Sequence, residues 1–377
     1  MSVDFIDLSR QYRCLAENLD DAFARVFAHG QFIQGPEVQE LESRMRTYVG
    51  AQHAITCANG TDALQIALRA LDVGPGDLVF VPSLTFAATI EAVLLTGAKP
   101  FFVDVESNNG NIDPECLKDS IAFASIHLRY RLSAVICVDL FGALADYEAL
   151  EAICRENGLL MIEDGAQAFG ASDASGRKAC SFADIGTTSF HPTKSFACFG
   201  DGGAMFTNDN RLAECMRSIA NHGVNADGSE HILLGTNSRL DTLQAAVLLE
   251  KFKLLDREIA ERRRIGEKYT RALESHVKVP RDYKNYVRLF SYYPILSDNP
   301  QELQTFLGNR GITTKRYYQP PNHKHAAFRD LPYLKRGLPV TEKIANSLLC
   351  LPIHAYLEAP EQDEVIQAVL DFCQKSR

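Results

Sequence analysis

The alternation of short apolar segments with helical segments, over about the first 210 residues, constrains the fold more than any other feature. Four helical segments stand out, several of them ending near glycine: "TDALQIALRALDV", "FAATIEAVLLTGA", "DYEALEAICRENG" and "NDNRLAECMRSIANHG". Seven apolar segments predict strands: "HAITCA", "LVFVPS", "KPFFVDV", "LSAVICVDLFG", "LLMIEDGA", "IGTTSF" and "GAMFTN". Strands that are apolar throughout and separated by helices predict an α/β domain, with a mostly parallel sheet buried on both faces.

After about residue 240 the pattern changes. The stretch "DTLQAAVLLEKFKLLDREIAERRRIGEKYTRALESH" predicts a long, charge-rich helical region, which we interpret as a bridge between two domains. Short strand-like segments such as "RLFSYYPIL", further helices and a loop with Pro320 and Pro321 follow. We therefore predict a large domain over residues 1–250 and a smaller α+β domain over residues 251–377.

Composition excludes several classes of partner. The net charge of −9 disfavours binding to a nucleic-acid backbone. No apolar segment approaches the length of a membrane span, and the charged start "MSVDFIDLSRQYRCL" lacks the apolar core of a signal peptide. The ten cysteines are scattered without CxxC pairs, which favours reduced thiols and a cytoplasmic location. We expect no nucleic-acid or membrane partner.

The segment "CANGTDALQIAL" places a turn of Asn59, Gly60 and Thr61 between a strand and a helix. The start of a helix offers unpaired backbone N–H groups and the positive end of the helix dipole, and both favour a phosphate. An ordinary helix start, capped by Asn59 or Thr61, is the alternative interpretation.

Two further segments carry groups suited to chemistry. In "LLMIEDGAQAFG", Asp164 ends an apolar strand, where ligands gather in open α/β sheets; a solvated turn carboxylate is the alternative. In "SFHPTKSFACFGDGGAMF", Ser189 and Lys194 precede glycines that permit close approach of the backbone. A lysine in restricted apolar surroundings loses its proton more readily and becomes a nucleophile toward carbonyls, whereas an isolated lysine is usually solvated.

These segments together match the requirements of pyridoxal 5'-phosphate (PLP). A lysine can form a Schiff base with the cofactor, an aspartate can keep the pyridine nitrogen protonated, and a helix start with a serine can hold the phosphate. Phe86, in "PSLTFAAT", can cover one face of the ring, although core packing explains most phenylalanines. The sequence therefore indicates a PLP site.

The order of motifs resembles that of the DegT/DnrJ sugar aminotransferases, which have the aspartate-aminotransferase (type I PLP) fold. The motifs are "FIDL", "HGQFIQGPEVQELE", "NGTDALQIALRAL", "GPGDLV", "EDGAQAFGA", "SFHPTK", "GDGGA", "NSRLDTLQAA" and "LPIHAYL". The resemblance covers nearly the whole chain. It implies a large, mostly parallel-sheet domain, a smaller C-terminal α+β domain and a PLP-dependent transaminase.

The resemblance also implies roles for residues around the ring. Lys194 matches the lysine that binds PLP covalently and moves the proton, and Asp164 matches the partner of the pyridine nitrogen. Gln167 matches the glutamine near the phenolic oxygen, and Phe86 matches the stacked aromatic residue. Some family members have histidine in place of the lysine and act as dehydratases, so Lys194 favours transamination.

For the phosphate, the resemblance implies contacts from Gly60, Thr61 and Ser189 of one chain. Asn237 matches an asparagine that reaches the phosphate from the neighbouring subunit. The resemblance therefore implies a homodimer with composite sites.

The substrate side matches the family less closely. The segment "RYYQPPNHKH" corresponds loosely to the loop "HYPxPLHxQ", with His323 in the histidine position, and we assign His323 and Tyr317 to substrate binding. Arg239 has two interpretations: a substrate or subunit contact, or an arginine bound structurally to a carboxylate. The histidines His323, His325 and His354 lack cysteine or carboxylate companions at metal spacing, so we expect no metal.

Three residues depart from the family pattern. Phe169 stands where many relatives have histidine or leucine, so no proton-transfer role falls there. Ser195 and Phe196 replace an asparagine and a leucine, which changes the wall beside the cofactor.

The resemblance implies L-glutamate as amino donor, 2-oxoglutarate as its product and a nucleotide-linked keto-sugar as acceptor, in polysaccharide or lipopolysaccharide biosynthesis. We expect amination at C3 of a UDP-2-acetamido-3-keto hexose or glucuronate. A dTDP-3-keto-6-deoxyhexose and a 4-keto sugar are the alternatives. The loop of residues 223–236 contains no Lys or Arg, which counts against the acid sugar unless Arg239 serves it.

Two other classes of protein remain open. One is a PLP-binding regulator without turnover, although no DNA-binding module is visible. The other is an oxidoreductase with a Rossmann domain, which the lack of GxGxxG after the first strand disfavours.

Overall fold

The computed structural model describes residues 2–281 and 286–375. Within them the strands are β1 (His53–Cys57), β2 (Asp77–Pro82), β3 (Lys99–Val103), β4 (Arg131–Val138), β5 (Leu160–Asp164), β6 (Ser172–Asp173), β7 (Ile185–Ser189), β8 (Gly203–Thr207), β9 (Tyr286–Val287), β10 (Tyr293–Leu296) and β11 (Leu348–Leu351). The helices are α1 (Leu8–His29), α2 (Pro36–Val49), α3 (Gly60–Ala70), α4 (Ala88–Leu95), α5 (Pro114–His127), α6 (Tyr147–Asn157), α7 (Asn210–Ala220), α8 (Thr242–Phe252), α9 (Leu255–Leu273), α10 (Pro300–Gly308), α11 (Pro339–Ser347) and α12 (Ala359–Lys375).

All seven predicted strands form a single sheet in the order β1-β8-β7-β5-β4-β2-β3. Strand β8 runs antiparallel to both β1 and β7, and the other neighbours pair in parallel. The predicted α/β class with a mostly parallel sheet is therefore confirmed.

The sheet is buried on both faces because its strands carry apolar side chains in both directions. In β2, Val79 and Val81 pack into one core cluster, while Leu78 and Phe80 pack into the other. Helices α3, α4 and α7 contribute to the first cluster, and α2, α5 and α6 contribute to the second. This explains why the strands lack the polar alternation of a half-exposed sheet.

Parallel pairing brings the carboxyl ends of several strands to one edge of the sheet. Strands β2, β4, β5 and β7 all end there, and β1 ends there too because it shares the antiparallel neighbour β8 with β7. This edge carries the turn after β1, the end of β5 at Asp164 and the end of β7 at Ser189.

The predicted long helical region is confirmed, and it consists of two helices, α8 and α9, separated at Lys253 and Leu254. The two bury side chains against different partners. Val247 of α8 packs against α1, whereas Ile265 and Tyr269 of α9 join the C-terminal core. One continuous helix could not meet both surfaces, which accounts for the break.

The C-terminal part contains the two-stranded sheet β10-β11, packed with α9, α10 and α12 around one core cluster. Val3, near the start of the chain, joins this cluster and pairs with Ile312. The domain boundary at residue 250 stays a prediction. In residues 2–281 and 286–375, every helix is too short or too polar to cross a lipid bilayer.

Candidate active site

Asp164 and Lys194 lie near each other at the carboxyl edge of the sheet. Asp164 ends β5 and is 7% exposed. Its Oδ2 accepts a hydrogen bond from Thr89 Oγ1 (3.1 Å), and its Oδ1 accepts one from the Ala166 backbone N–H (3.2 Å). Lys194 is partly buried in the turn after β7, where its backbone N–H donates to His191 O (2.8 Å).

The electrostatics of this pair suit proton transfer. Burial raises the pKa of Asp164, and the Ala166 N–H, the Lys194 charge and Thr89 oppose that rise. Burial likewise lowers the pKa of Lys194, opposed by the charge of Asp164. Lys194 is therefore a lysine that gives up its proton more readily than a solvated one, beside a carboxylate that it helps to keep ionised.

The turn after β1 and the end of β7 form a tight cradle. Asn59 caps α3, since its Oδ1 accepts the Asp62 backbone N–H (2.8 Å). A Cβ added to Gly60 would lie 2.7 Å from the Cβ of Ser189, so only glycine lets the helix start approach this strand end. Thr61 follows in the first turn. The cap is therefore Asn59, and the helix start with Ser189 remains for an anion.

Gln167 is buried and fixed in orientation. Its Oε1 accepts the Phe141 backbone N–H (2.7 Å), and its Nε2 donates to Tyr318 Oη (2.8 Å). The ring of Tyr318 lies 6.2 Å from that of Phe86. Phe86 is 57% exposed, so core packing does not explain it and its ring is free to cover a ligand.

The predicted substrate loop is hydrogen-bonded to the residue that follows β2. His323 is buried, with Nδ1 2.6 Å from Ser83 Oγ and Nε2 3.2 Å from Glu342 Oε1. Tyr317 packs against Tyr292, with ring centroids 5.1 Å apart. Both ring nitrogens of His323 have partners, so the structure shows it anchoring the loop, and its substrate-binding role stays a prediction.

Arg239 binds amide oxygens. Its guanidinium donates to Asn237 Oδ1 (2.7 Å) and to Asn221 Oδ1 (3.1 Å), while its Nε is buried without a partner. These partners do not neutralise its charge, unlike the carboxylate considered as an alternative. Asn237 is exposed, and its contact with a neighbouring subunit's phosphate stays a prediction.

Two contacts at the site were not predicted from the sequence. Thr89 donates to Asp164, and Tyr318 binds Gln167. Thr89 stands three residues after Phe86, and Tyr318 stands beside Tyr317, so the segments already singled out contained the signal. Which side chain of each segment faces the site depends on the folded backbone.

The departures from the family pattern fit one another. The rings of Phe169 and Phe196 stack, with centroids 5.2 Å apart and planes 17° apart. Phe196 also meets Phe190 and Phe252 edge-on, at 5.5 and 5.6 Å. Phe196 thus fills an aromatic cluster around Phe169, while Ser195 is buried beside it.

The sequence pattern that defines the DegT/DnrJ/EryC1/StrS aminotransferase family matches residues 13–370. The UDP-2-acetamido-2-deoxy-3-oxo-D-glucuronate aminotransferase of Pseudomonas aeruginosa is 43% identical over 94% of this chain and 96% of its own length. The UDP-N-acetyl-3-dehydro-alpha-D-glucosamine 3-aminotransferase of Acidithiobacillus ferrooxidans is 35% identical over 93% of each chain.

Solved structures agree with this similarity. A DegT/DnrJ/EryC1/StrS aminotransferase from Brucella abortus has a TM-score of 0.96 at 43% identity, over 98% of this chain and 99% of the other. NtdA from Bacillus subtilis, with bound cofactor PMP, has a TM-score of 0.89 at 28% identity, over 99% of this chain and 85% of the other.

The residues present fit PLP. At the start of α3, Gly60 leaves no room for a Cβ of its own beside Ser189, and the backbone N–H groups of this helix N-terminus suit a phosphate. Asp164 has a buried carboxylate that would suit the ring nitrogen, and Lys194 has an amine of weakened basicity. With the type I fold and the matches across nearly its whole length, the chain belongs to the DegT/DnrJ/EryC1/StrS aminotransferase family and is a PLP-dependent sugar aminotransferase.

Proposed function

We propose that this enzyme moves the amino group of L-glutamate to C3 of a UDP-linked 2-acetamido-3-keto sugar, the hexose or its glucuronate. The observation that carries the proposal is the Lys194–Asp164 pair, in a chain 43% identical to an aminotransferase named for such a 3-oxo glucuronate. The relative from Acidithiobacillus ferrooxidans, named for the corresponding glucosamine, supports the same substrate class.

Each group at the site has a separate task. PLP, when bound, supplies a ring that accepts electrons from the bond broken at the substrate carbon. Asp164 would hold the ring nitrogen and keep it charged, while Gly60, Thr61 and Ser189 would hold the phosphate. Lys194 Nζ takes the proton from the amino donor's α-carbon and returns a proton when the sugar receives the amine. Burial favours this cycle because it lowers the pKa of Lys194, so that a larger fraction of the amine is neutral and able to take a proton.

Whether the enzyme prefers the hexose or its glucuronate depends on whether a cation lies near C6 of the bound sugar. The loop of residues 223–236 offers His231, whose Nδ1 lies 2.8 Å from His222 O, together with the acidic Asp227 and Glu230. Arg239 retains its charge and could bind a carboxylate. The alternative dTDP-3-keto sugar is supported by a Streptomyces venezuelae transaminase named for dTDP-3-amino-3,4,6-trideoxyglucose, which is 36% identical. A 4-keto substrate is the third candidate.

A panel of aminated nucleotide sugars tests the substrate. Added to the PLP form, a UDP-2-acetamido-3-amino sugar should bleach the visible band as its amine is transferred. We expect dTDP-3-amino-6-deoxy and 4-amino sugars to react at least about tenfold more slowly. Polar groups of the site that bind one sugar would lack hydrogen-bond partners when a different sugar is bound. L-Glutamate serves as the positive control. A band that responds to glutamate but to no 3-amino sugar would exclude the C3 assignment, and an inert band would favour the regulator.

We also propose a cytoplasmic homodimer acting in polysaccharide or lipopolysaccharide synthesis. No disulfide joins any of the ten cysteines, all of which lie in the described part of the chain, as suits a reducing compartment. Large apolar side chains are exposed near the N-terminal helix and on the loop before Asn237, which suits a subunit interface. They include Phe27 (62%), Phe32 (46%) and Leu234 (86%).

Mixing two inactive variants tests the composite site. Asn237→Asp would put a carboxylate against the phosphate, and Lys194→Ala removes the amine; each alone should lose at least about tenfold in activity. A mixed dimer contains one site with both natural residues, so co-refolded chains should recover about a quarter of the wild-type activity. Each variant refolded alone is the control. Recovery no greater than the sum of the two would place Asn237 in its own chain's site.

A further inference from the structure

Two carboxyl groups face each other behind the active site. Asp139 follows β4 and Glu163 precedes Asp164 in β5, and both side chains are fully buried. Successive residues of a strand point to opposite faces, so Glu163 points away from the side that carries Asp164. The register of β4 and β5 pairs Cys137 with Glu163, so Asp139, two residues after Cys137, lies on the same face of the sheet as Glu163. Each carboxyl group shifts the pKa of the other. An ionised carboxyl group only accepts hydrogen bonds, so the two can share one only if one of them carries a proton.

The partners of Glu163 show that it is the acceptor. Its Oε1 accepts the Cys180 backbone N–H, and its Oε2 accepts the Phe182 backbone N–H (2.8 Å for the latter). Both oxygens therefore accept hydrogen bonds from backbone N–H groups, which can donate but cannot accept. Such contacts favour the ionised form of Glu163.

The partners of Asp139 show that it is the donor. Its Oδ1 accepts both the Ala145 backbone N–H (2.9 Å) and the Tyr147 hydroxyl (2.9 Å). Its Oδ2 is buried and receives no hydrogen bond. An acceptor left without a donor in the interior is costly, whereas a protonated Oδ2 that donates to Glu163 is satisfied.

This pair is tied to the residues that face the cofactor. The Asp139 backbone N–H donates to the Asp164 carbonyl oxygen (3.1 Å). The turn that Asp139 closes by binding Ala145 contains Phe141, whose N–H donates to Gln167 Oε1. A shift of Asp139 would therefore displace the support of both Asp164 and Gln167.

We propose that Asp139 and Glu163 are a positioning pair in which one proton, held on Asp139 Oδ2, locks the ends of β4 and β5 and so places Asp164 and Gln167 against the cofactor. The proposal rests on the proposed cofactor contacts of those two residues. Both members of the pair are fully buried, so neither is placed to reach substrate.

The surrounding charges agree with a single proton. Burial raises the pKa of Asp139 far above its usual value, helped by the charge of Glu163. Burial raises the pKa of Glu163 to about 7, opposed by its two backbone donors and by the exposed Arg177. Two thiols and two phenols of the described residues also interact with the pair, and burial raises the pKa of each: Cys137, Cys180, Tyr147 and Tyr286.

Infrared spectroscopy of the cofactor-free protein tests the proton directly. At pH 8, above the pKa of about 7 of both Glu163 and Glu106, we expect the carbonyl stretch of a buried protonated carboxyl group, lost in Asp139→Asn and kept in Asp146→Asn, a helix cap on the same loop. An unchanged band in Asp139→Asn would move the proton elsewhere and overturn the assignment. Neither sugar nor cofactor enters this measurement, so its outcome is independent of the proposed function.

Stability against pH gives a second test without cofactor. Folded Asp139 keeps a proton that the unfolded chain releases above the ordinary aspartate pKa. The stabilisation is thus complete below that pKa and is lost as the pH rises toward the folded one. The wild-type unfolding constant should rise relative to that of Asp139→Asn by about tenfold per pH unit in this window. Parallel profiles for the two proteins would contradict the raised pKa.

Cofactor binding tests the positioning role. In Asp139→Asn the amide Nδ2 still donates to Glu163, so PLP affinity should stay within about threefold of wild type. Asp139→Ala leaves Glu163 without this donor and should weaken PLP binding by about tenfold or more. The pH titration of the bound cofactor's visible band should shift in Asp139→Ala but not in Asp139→Asn, which a simple loss of folded protein would not produce. Equal affinity and equal titration in all three proteins would overturn the positioning role.

Discussion

Replacing Lys194 with alanine should lower kcat by about 10⁴-fold or more while PLP still binds. The turnover falls because the variant lacks the amine proposed to carry the proton, and such transfer contributes about 10²–10⁴-fold on its own. The cofactor stays because the Gly60–Ser189 cradle and Asp164 are untouched. Steady-state kinetics with L-glutamate, together with the visible spectrum of the reconstituted variant, would measure both effects.

Two further lysine variants make this result specific. Lys194→Arg keeps the positive charge but holds its proton at any working pH, so it should be as inactive as the alanine variant. Lys251 is also buried, with a pKa lowered by burial to about 8, and its ammonium lies 4.3 Å from the Phe199 ring. Lys251→Met should retain turnover, since an isosteric apolar residue replaces a buried cation that lacks a hydrogen-bond partner. Normal activity in Lys194→Ala would exclude the proposed mechanism.

Replacing Asp164 with asparagine should lower kcat/KM by about 100-fold or more. A 100-fold loss corresponds to about 2.7 kcal/mol of transition-state stabilisation, since each 1.4 kcal/mol is about tenfold. The amide would leave the cofactor's ring nitrogen without a carboxylate, so the ring would accept electrons less readily. The measurement is kcat/KM for the glutamate half-reaction, followed by the loss of the PLP band.

Stability separates this chemical effect from a structural one. In the cofactor-free chain burial raises the pKa of Asp164, which means that its charge costs folding free energy. The substituted amide would carry no charge, so Asp164→Asn without cofactor should melt no lower than wild type while losing activity. Asp298→Asn, which replaces an exposed carboxylate in the bend before α10, is the matched control and should change neither quantity. A large drop in melting temperature together with the activity loss would indicate that Asp164 serves the fold instead.

Much of the fold follows from local signals in the chain. Apolar strands with glycine-ended helices between them are specified over short stretches of about 5–15 residues, so the seven strands could be placed from sequence. The predicted long helical region is confirmed, but its division into two helices at Lys253 and Leu254 could not be predicted, because the break depends on which surfaces α8 and α9 meet and not on a glycine or proline.

The cofactor chemistry can be read from local motifs alone: the order of "NGTDAL", "EDGAQ" and "SFHPTK" names Gly60, Asp164 and Lys194, and the family comparison confirms the enzyme class. What surrounds these residues could be known only from the folded chain. Thr89 meets Asp164 across 75 positions of the chain, Tyr318 meets Gln167 across 151, and the Asp139–Glu163 pair forms where two strands end side by side. Motifs are local and can be recognised singly, whereas these contacts exist only after parallel pairing has brought distant strand ends to one edge of the sheet.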